Sequence, residues 1–248
     1  MWEIDISRGM EAFNQYTGKF PEDDERIDHK IQHSIRVAVR AGELAAALGL
    51  DPGEVSLAYL IGLVHDLGRF SQYTQFGTFV DRDSRNHADM GVELLFDEGL
   101  IRAFIKTDAY DDIIRSAVAC HNAFALPEDL DGPALVHSRI LRDADKLDNL
   151  FSKQYERFEA LFGVEKIDHE SVSRDVLETF LARRPIRTEQ VRSHLDNWLK
   201  YVAFYFDLSY DESRRLAAEA GYADHLLDRV SGMDPMVLSA LREALMRF

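Results

Sequence analysis

The sequence predicts an all-helical protein, and three observations support that prediction. Apolar residues recur at helical spacing in long stretches of the 248-residue chain. No segment alternates apolar and polar residues over the length of a typical strand, so a large sheet is not expected. Hydrophobic residues make up 46% of the chain and proline is sparse, which fits one helical domain with a sizeable core over residues 1–248.

The first strong helical pattern covers residues 31–49, where apolar side chains share one face. Pro52 then opens a second helix, because proline is tolerated in the first turn. That helix runs through a series of apolar residues to His65 and Asp66, and Gly68 is expected to end it. The pattern therefore places a histidine and an aspartate at the end of an apolar helix.

Residues 69–84 are aromatic and polar without clean periodicity, and we predict that they form a long loop. Loops of this length inside a compact domain are often functional lids. The aromatic side chains of this segment either close over a nearby site or pack onto the core, and the sequence leaves both alternatives open. These side chains are Phe70, Tyr73, Phe76 and Phe79.

Helical patterns continue to the C-terminus. The further predicted helices cover residues 86–96, 109–120, 133–151, 170–182, 188–207, 211–220 and 234–247. Within them, residues 198–206 are densely aromatic. Such a segment is typical of a core helix or of a dimer interface, so a homodimer is one assembly that the sequence allows.

The net charge of −15 argues against some classes of partner. Binding to duplex nucleic acid depends on clustered lysine and arginine, which a strongly acidic chain does not favour. Binding to an anionic membrane surface is disfavoured for the same reason. A small phosphorylated substrate remains compatible with the charge, because a bound metal supplies positive charge locally.

Cys120 is the single cysteine, so the chain cannot form an internal disulfide. It lies in an apolar stretch and is expected to be a buried, inert thiol. The first ten residues lack the basic flank and apolar run of a signal peptide, and no apolar run reaches the ~18 residues that would span a membrane. We therefore expect a cytoplasmic protein.

The adjacent His65 and Asp66 carry the strongest chemical signal. A histidine and an aspartate at the end of an apolar helix are costly to bury unless they are paired or bind a metal. The dipeptide alone is weak evidence, and its value comes from further residues of ligand type on other helices. These are His33, His87, His121 and Asp145. Imidazoles and carboxylates together suit Mn, Fe, Co, Ni or Zn, whereas Mg is less favoured.

The flanking sequences make the pattern specific. They read HSIRV around His33, HDLG around His65 and Asp66, and ADKLDN around Asp145. Over about residues 29–150, this pattern resembles the HD superfamily of metal-dependent phosphohydrolases. The resemblance implies an HD-domain helical bundle as the metal-binding core, with residues 151–248 as a C-terminal helical elaboration.

The resemblance also implies which residues bind metal. The additional His87 and His121 are similar to those of the subgroup that binds two divalent ions. One ion would be held by His33, His65 and Asp145, and the second by His87 and His121. Asp66 would bridge the two ions, because a carboxylate offers two oxygens.

Several neighbours compete for these roles. We favour Asp145 over Asp143, which lies about 200° away around the helix, while Asp148 remains open as a supporting partner. His29 precedes His33 by one turn and is the alternative first ligand. His87 and His121 have structural alternatives, such as an interaction of His121 with a helix dipole. The remaining histidines are interpreted as surface or structural residues, and they are His137, His169, His194 and His225.

The activity implied by the resemblance is hydrolysis of a phosphoester by a metal-activated water. Asp66 would take part through the metals and Arg69 would contact the phosphoryl group, with Lys146 and Arg142 as weaker candidates for that contact. The ligand set alone does not distinguish this hydrolase from a mixed-valent di-iron oxygenase of the same fold. A non-catalytic nucleotide-sensing module is a third interpretation, which the intact ligand set disfavours.

Overall fold

The computed structural model describes residues 4–21 and 23–246, and helices dominate this part of the chain. The α-helices are α1 (Ile6–Thr17), α2 (Glu25–Ala47), α3 (Pro52–Val64), α4 (Leu67–Phe76), α5 (His87–Val92), α6 (Ile101–Phe104), α7 (Asp111–Cys120), α8 (Gly132–Ser152), α9 (Phe158–Phe162), α10 (Arg174–Leu181), α11 (His194–Val202), α12 (Asp211–Glu219), α13 (Tyr222–Asp228) and α14 (Pro235–Met246). Within residues 4–21 and 23–246 no strand is present, and the only β pairing is a single bridge between Asp168 and Ser231. The predicted all-α class is confirmed.

The chain divides into two compact units between Asp145 and Lys146, inside α8. This division lies a few residues before the expected start of the C-terminal elaboration at residue 151. The second unit has its own apolar core, in which the Trp198 side chain is fully buried and donates its indole N–H to the Leu226 carbonyl at 2.9 Å. The aromatic segment around Trp198 therefore contributes to a core. That residues 1–248 act as a single domain stays a prediction.

Helix α2 begins at Glu25, six residues before the predicted start at residue 31. Asp24 caps it, because its side chain accepts a hydrogen bond from the backbone N–H of Arg26. This early start adds Lys30 to the helix, one turn before His33. Both side chains can therefore lie near the same face of α2.

The prediction that Gly68 ends a helix is wrong. Helix α3 ends at Val64, and α4 begins at Leu67 and includes Gly68. A Cβ at Gly68 would lie only 2.2 Å from the His87 carbonyl oxygen and 2.5 Å from the Gly91 nitrogen. Glycine is needed here because it lets α4 approach α5 closely, which brings the residues after α3 next to His87.

The prediction of a loop over residues 69–84 is wrong for residues 69–76, which are helical. Phe70 explains the error, because it anchors this helix in the core. Its ring centroid lies 5.3 Å from that of Phe20 and 6.0 Å from that of Tyr16. The helix ends at Gly77, whose φ of 68° is left-handed. Burial of one aromatic residue thus outweighs the poor helical periodicity of the segment.

The connection between α4 and α5 is short and folded back on the protein. It contains one 3-10 turn, Asp81–Asp83. Phe79 stacks on Tyr73 with a centroid distance of 4.8 Å, and the Tyr73 hydroxyl donates to Asp24 at 3.0 Å. Phe76 stays 43% exposed. Phe70 packs into the core, whereas Tyr73 and Phe79 pack against each other.

Other predicted helices are present with shifted or broken bounds. α5 is followed by a π-helical turn, Glu93–Asp97. The predicted helix 188–207 is divided into the 3-10 turn Thr188–Gln190, α11 and the 3-10 turn Ala203–Asp207, because the Ser193 side chain caps a new start for α11. Short helices such as α6, α9 and α13 were not predicted.

Two predictions reach beyond the described residues. Residue 247 of the predicted last helix and residues 1–3 of the sequence compared with a signal peptide lie outside them. Among the helices that the structure describes, none combines the length and apolarity needed to cross a membrane.

Candidate metal centre

Helix ends bring most of the predicted ligands together. His65 directly follows α3, Asp66 directly precedes α4, and His121 directly follows α7. His87 is the first residue of α5. His33 and Asp145 lie inside the long helices α2 and α8. Asp145 has a side chain that is 20% exposed, whereas the other five side chains are buried.

Asp66 is the centre of the cluster. Its Oδ2 lies 3.8 Å from Nε2 of His33 and 3.8 Å from Nε2 of His65. Its Oδ1 lies 3.5 Å from Nε2 of His87 and 3.6 Å from Nε2 of His121. The two oxygens therefore face two different pairs of imidazoles, which is the arrangement that a bridging carboxylate needs.

Asp145 completes the first of these groups. Its Oδ1 lies 3.2 Å from Nε2 of His33. His33, His65 and Asp145 offer ligand atoms within 4.8 Å of one another, and so do His65, Asp66 and His121. His87 joins the second group, because its Nε2 lies 3.0 Å from Nε2 of His121.

Backbone carbonyls fix the orientation of two imidazoles. His65 Nδ1 lies 2.7 Å from the Gly62 carbonyl oxygen, and His121 Nδ1 lies 2.7 Å from the Val118 carbonyl oxygen. A carbonyl only accepts, so each Nδ1 carries the proton and donates it. Nε2 of each ring then faces Asp66, and it is the atom through which the ring could bind a metal.

A carboxylate orients the third imidazole. His87 Nδ1 lies 2.8 and 2.9 Å from the two carboxylate oxygens of Asp81, in the turn before α5. Hydrogen bonding by His87 and attraction from Arg69 outweigh partial burial and lower the pKa of Asp81 to about 2. The ionised carboxylate accepts the Nδ1 proton and leaves Nε2 of His87 as a donor atom for a metal.

The histidines at this cluster fit divalent metals. Nε2 of His65 is buried without a hydrogen-bond partner. Nε2 of His87 and Nε2 of His121 lie 3.0 Å apart, and both carry lone pairs when Nδ1 holds the proton. Two such nitrogens repel each other unless a cation lies between or beside them. Divalent ions at the two groups would bind these three nitrogens, and Nε2 of His65 would otherwise stay buried without a partner.

The protonation states also favour metal binding. Burial lowers the pKa of His65 and of His87 to about 4, so both rings are neutral near pH 7. Burial alone would raise the pKa of Asp66, but the charge of Lys30, followed by other neighbours, holds it well below the usual range. Neutral imidazoles and an ionised carboxylate are the forms that bind metals.

Of the alternative ligands, the structure brings His33 and Asp145 together with the other candidates. His33 is buried and reaches Asp145, whereas His29 is half-buried and belongs to no metal-capable group within residues 4–21 and 23–246. Asp145 is the aspartate of α8 that such a group includes, while Asp143 and Asp148 are fully buried elsewhere in the helix.

The histidines interpreted as surface or structural residues have other partners. His137 is buried, with Nε2 at 2.5 Å from Oε2 of Glu54. His194 contacts Glu170 and His225 contacts Gln154, and His169 is largely exposed.

Arg69 serves at least a structural role. Its Nη1 donates to the Phe79 carbonyl at 2.6 Å, to Gln72 at 3.0 Å and to Asp81 at 3.1 Å. Its Nε is 3.6 Å from Oδ1 of Asp66. Arg69 therefore ties the turn that carries Asp81 to α4. Its contact with a phosphoryl group stays a prediction.

Two other predicted phosphate contacts have partners as well. Nζ of Lys146 lies 3.1 Å from Oδ2 of Asp207, within the unit that follows Asp145. Nη1 of Arg142 donates to the carbonyl oxygens of Cys120 and His121 at 3.3 and 3.2 Å. Arg142 thus satisfies carbonyls at the end of α7 and fixes the backbone beside the candidate ligand His121. The role of Lys146 towards a substrate stays a prediction.

Three supporting residues were missed from the sequence. Nζ of Lys30 lies 3.0 Å from Oδ2 of Asp66. Gln72 is fully buried and donates to Asp81, Ser84 and the Arg85 carbonyl. Asp81 contacts His87, Arg69 and Gln72. The helical spacing of Lys30 and His33 was an available signal, whereas Gln72 and Asp81 gave none, because they were placed in a loop.

Comparison with known proteins gives one match. Residues 31–150 match the family model of the HD domain. The comparisons with curated proteins and with solved structures returned no match. The matched range includes all six predicted ligands, from α2 into α8.

We predict that Asp81→Asn weakens metal binding at the His87 side of Asp66. The amide keeps the size of the side chain but loses the charge that orients His87. By isothermal titration with Zn²⁺, the affinity for one of two ions should fall by about 10–100-fold. Asp83→Asn, in the same turn but 56% exposed, should bind as the wild type does. Equal affinities in the two variants would contradict this role for Asp81.

Proposed function

Since residues 31–150 match the HD domain family, we propose that this chain is a metal-dependent phosphohydrolase acting on a nucleotide or another small phosphorylated metabolite. The family includes metal-dependent phosphohydrolases, and some of its members are non-catalytic. The observation that carries the proposal is the buried Asp66, whose two oxygens face two separate pairs of imidazoles. A catalytic member of the family is expected to keep all of its metal-binding side chains, whereas a non-catalytic member is expected to have lost some of them.

The proposed cofactors are two divalent transition-metal ions, drawn from Mn, Fe, Co, Ni or Zn, with Mg less suited to so many imidazoles. His33, His65 and Asp145 would hold one ion, His87 and His121 the other, and Asp66 would bridge. When bound, such ions supply Lewis acidity and lower the pKa of a coordinated water towards neutrality.

The charge of the ligand set explains how an acidic protein can attract a phosphoryl group. The ligands contribute two carboxylates, Asp66 and Asp145, and four imidazoles, of which burial keeps His65 and His87 neutral near pH 7. Two dications outweigh two carboxylates, so the loaded site is locally positive although the chain carries −15. The remaining acidic surface would disfavour duplex nucleic acid and anionic membranes.

Access to the site would depend on its partly exposed side chains. The side chain of Asp145 is 20% exposed, and those of Lys30 and Arg69 are 17% exposed, whereas that of His65 is 1% exposed. A substrate that reached Asp66 would meet Lys30 and Arg69, one beside each carboxylate oxygen. The site therefore combines a buried metal-binding floor with cationic side chains at its edge.

The proposal is tested by phosphate release from a panel of nucleoside monophosphates, cyclic nucleotides and small phosphoesters. We expect turnover by Mn²⁺- or Co²⁺-loaded wild type and loss of both turnover and metal loading in Asp66→Ala, because Asp66 faces both ligand groups. Circular dichroism should show a retained helical fold. Asp89→Ala, an exposed aspartate two residues after His87, is the matched control.

Two outcomes would refute the proposed activity. Near-normal turnover in Asp66→Ala would place the reaction elsewhere. Consumption of O2 by the iron-loaded protein without any phosphate release would favour the di-iron oxygenase instead.

We further propose that Arg69 contacts the phosphoryl group in addition to holding the turn. Arg69→Lys keeps the charge but loses the planar fork. A charge-assisted hydrogen bond is worth roughly 1.5–3 kcal/mol, so kcat/KM should fall about tenfold to a hundredfold. If Arg69 only ties Asp81 and Phe79 to α4, the melting temperature will fall and kcat/KM will be unchanged. Steady-state kinetics and thermal melts on the same variant distinguish the two roles.

A further inference from the structure

Two cationic side chains flank Asp66, one beside each carboxylate oxygen. Nζ of Lys30 lies 3.0 Å from Oδ2, and Nε of Arg69 lies 3.6 Å from Oδ1. The same two oxygens face the imidazole pairs that fit metal ions. Each cation therefore lies beside an oxygen that a bound ion would also approach.

The two cations are held to different degrees. Nη1 of Arg69 makes three hydrogen bonds that support the turn before α5. Lys30 contacts Asp66, and its ammonium also lies 5.8 Å from the ring centroid of Phe79. A lysine carries its charge on a flexible four-carbon stem, whereas a guanidinium forms a rigid fork. Lys30 can therefore move its charge without breaking the bonds that hold the turn.

We propose that Lys30 neutralises Asp66 before metal binds and then turns to the phosphoryl group of the substrate. An ion bound at Asp66 repels the ammonium and takes over its role in compensating the carboxylate. The ammonium remains at the partly exposed edge of the site, on the helix that carries His33. This second role rests on the proposed function, since it requires an anionic substrate at the metals.

The proposal predicts changes of opposite sign, which a purely structural residue would not produce. Without Lys30, metal ions no longer compete with an ammonium for Asp66, so metal affinity should rise. Without Lys30, the loaded site also has one cation fewer for an anion, so phosphate affinity should fall. A residue that only supported the fold would weaken both.

The test uses Lys30→Met, which keeps the length of the side chain and the helix propensity but removes the charge. In the full chain, Mn²⁺ affinity measured by isothermal titration should rise severalfold. Inorganic phosphate should bind the Mn²⁺-loaded variant about tenfold more weakly than the wild type. Lys30→Arg should retain phosphate binding, and Lys106→Met, at an exposed lysine of the same unit, should change neither affinity.

Other results would overturn the role of Lys30. The proposal would be contradicted if both affinities were unchanged or if both fell. It would also be contradicted if Mn²⁺ affinity rose without weaker phosphate binding. If Lys30→Met does not fold, a loss of phosphate binding in Lys30→Arg would overturn it. Both affinities are measured without turnover, so they test the role of Lys30 independently of the proposed activity. Failure of the proposed activity would be seen separately, as a metal-loaded protein that binds phosphate but hydrolyses none of the phosphoesters.

Discussion

The burial of the Asp66 carboxylate is the constraint on which the site depends. An ionised carboxylate in the interior is unfavourable unless charges or hydrogen bonds compensate it. Here it is surrounded by four imidazole Nε2 atoms within 3.8 Å, and by Lys30 and Arg69. Because burial keeps His65 and His87 neutral, those rings offer lone pairs rather than positive charge. Divalent ions would compensate the carboxylate and satisfy the nitrogens together.

The helical fold creates this site through its helix ends. Carbonyls one turn before His65 and His121 hold the Nδ1 protons of these rings, so the same backbone that forms α3 and α7 sets the direction of the ligand atoms. Gly68 allows the start of α4 to approach α5, and Asp81 orients the first residue of α5. The ligand geometry is therefore a consequence of packing between helix termini.

Helical periodicity predicted the all-α class, and the flanking sequences predicted candidate metal ligands that lie close together in the structure. They did so because His65 and Asp66 follow a strongly apolar helix, whose pattern is local. The helix at residues 69–76 was not predictable in the same way, because burial of Phe70 among rings distant in sequence stabilises it. Lys30 and Asp81 were missed for a related reason, since tertiary contacts define their roles.

We propose that Asp66 bridges two metal ions. It is tested most directly by elemental analysis of protein purified without chelators, combined with an anomalous difference map from its crystals. If Asp66 bridges two ions, the elemental analysis will give about two ions per chain, and the map will show two adjacent peaks about 3.5–4 Å apart, one on each side of Asp66. A single peak, with His87 and His121 directed away from it, would contradict the account.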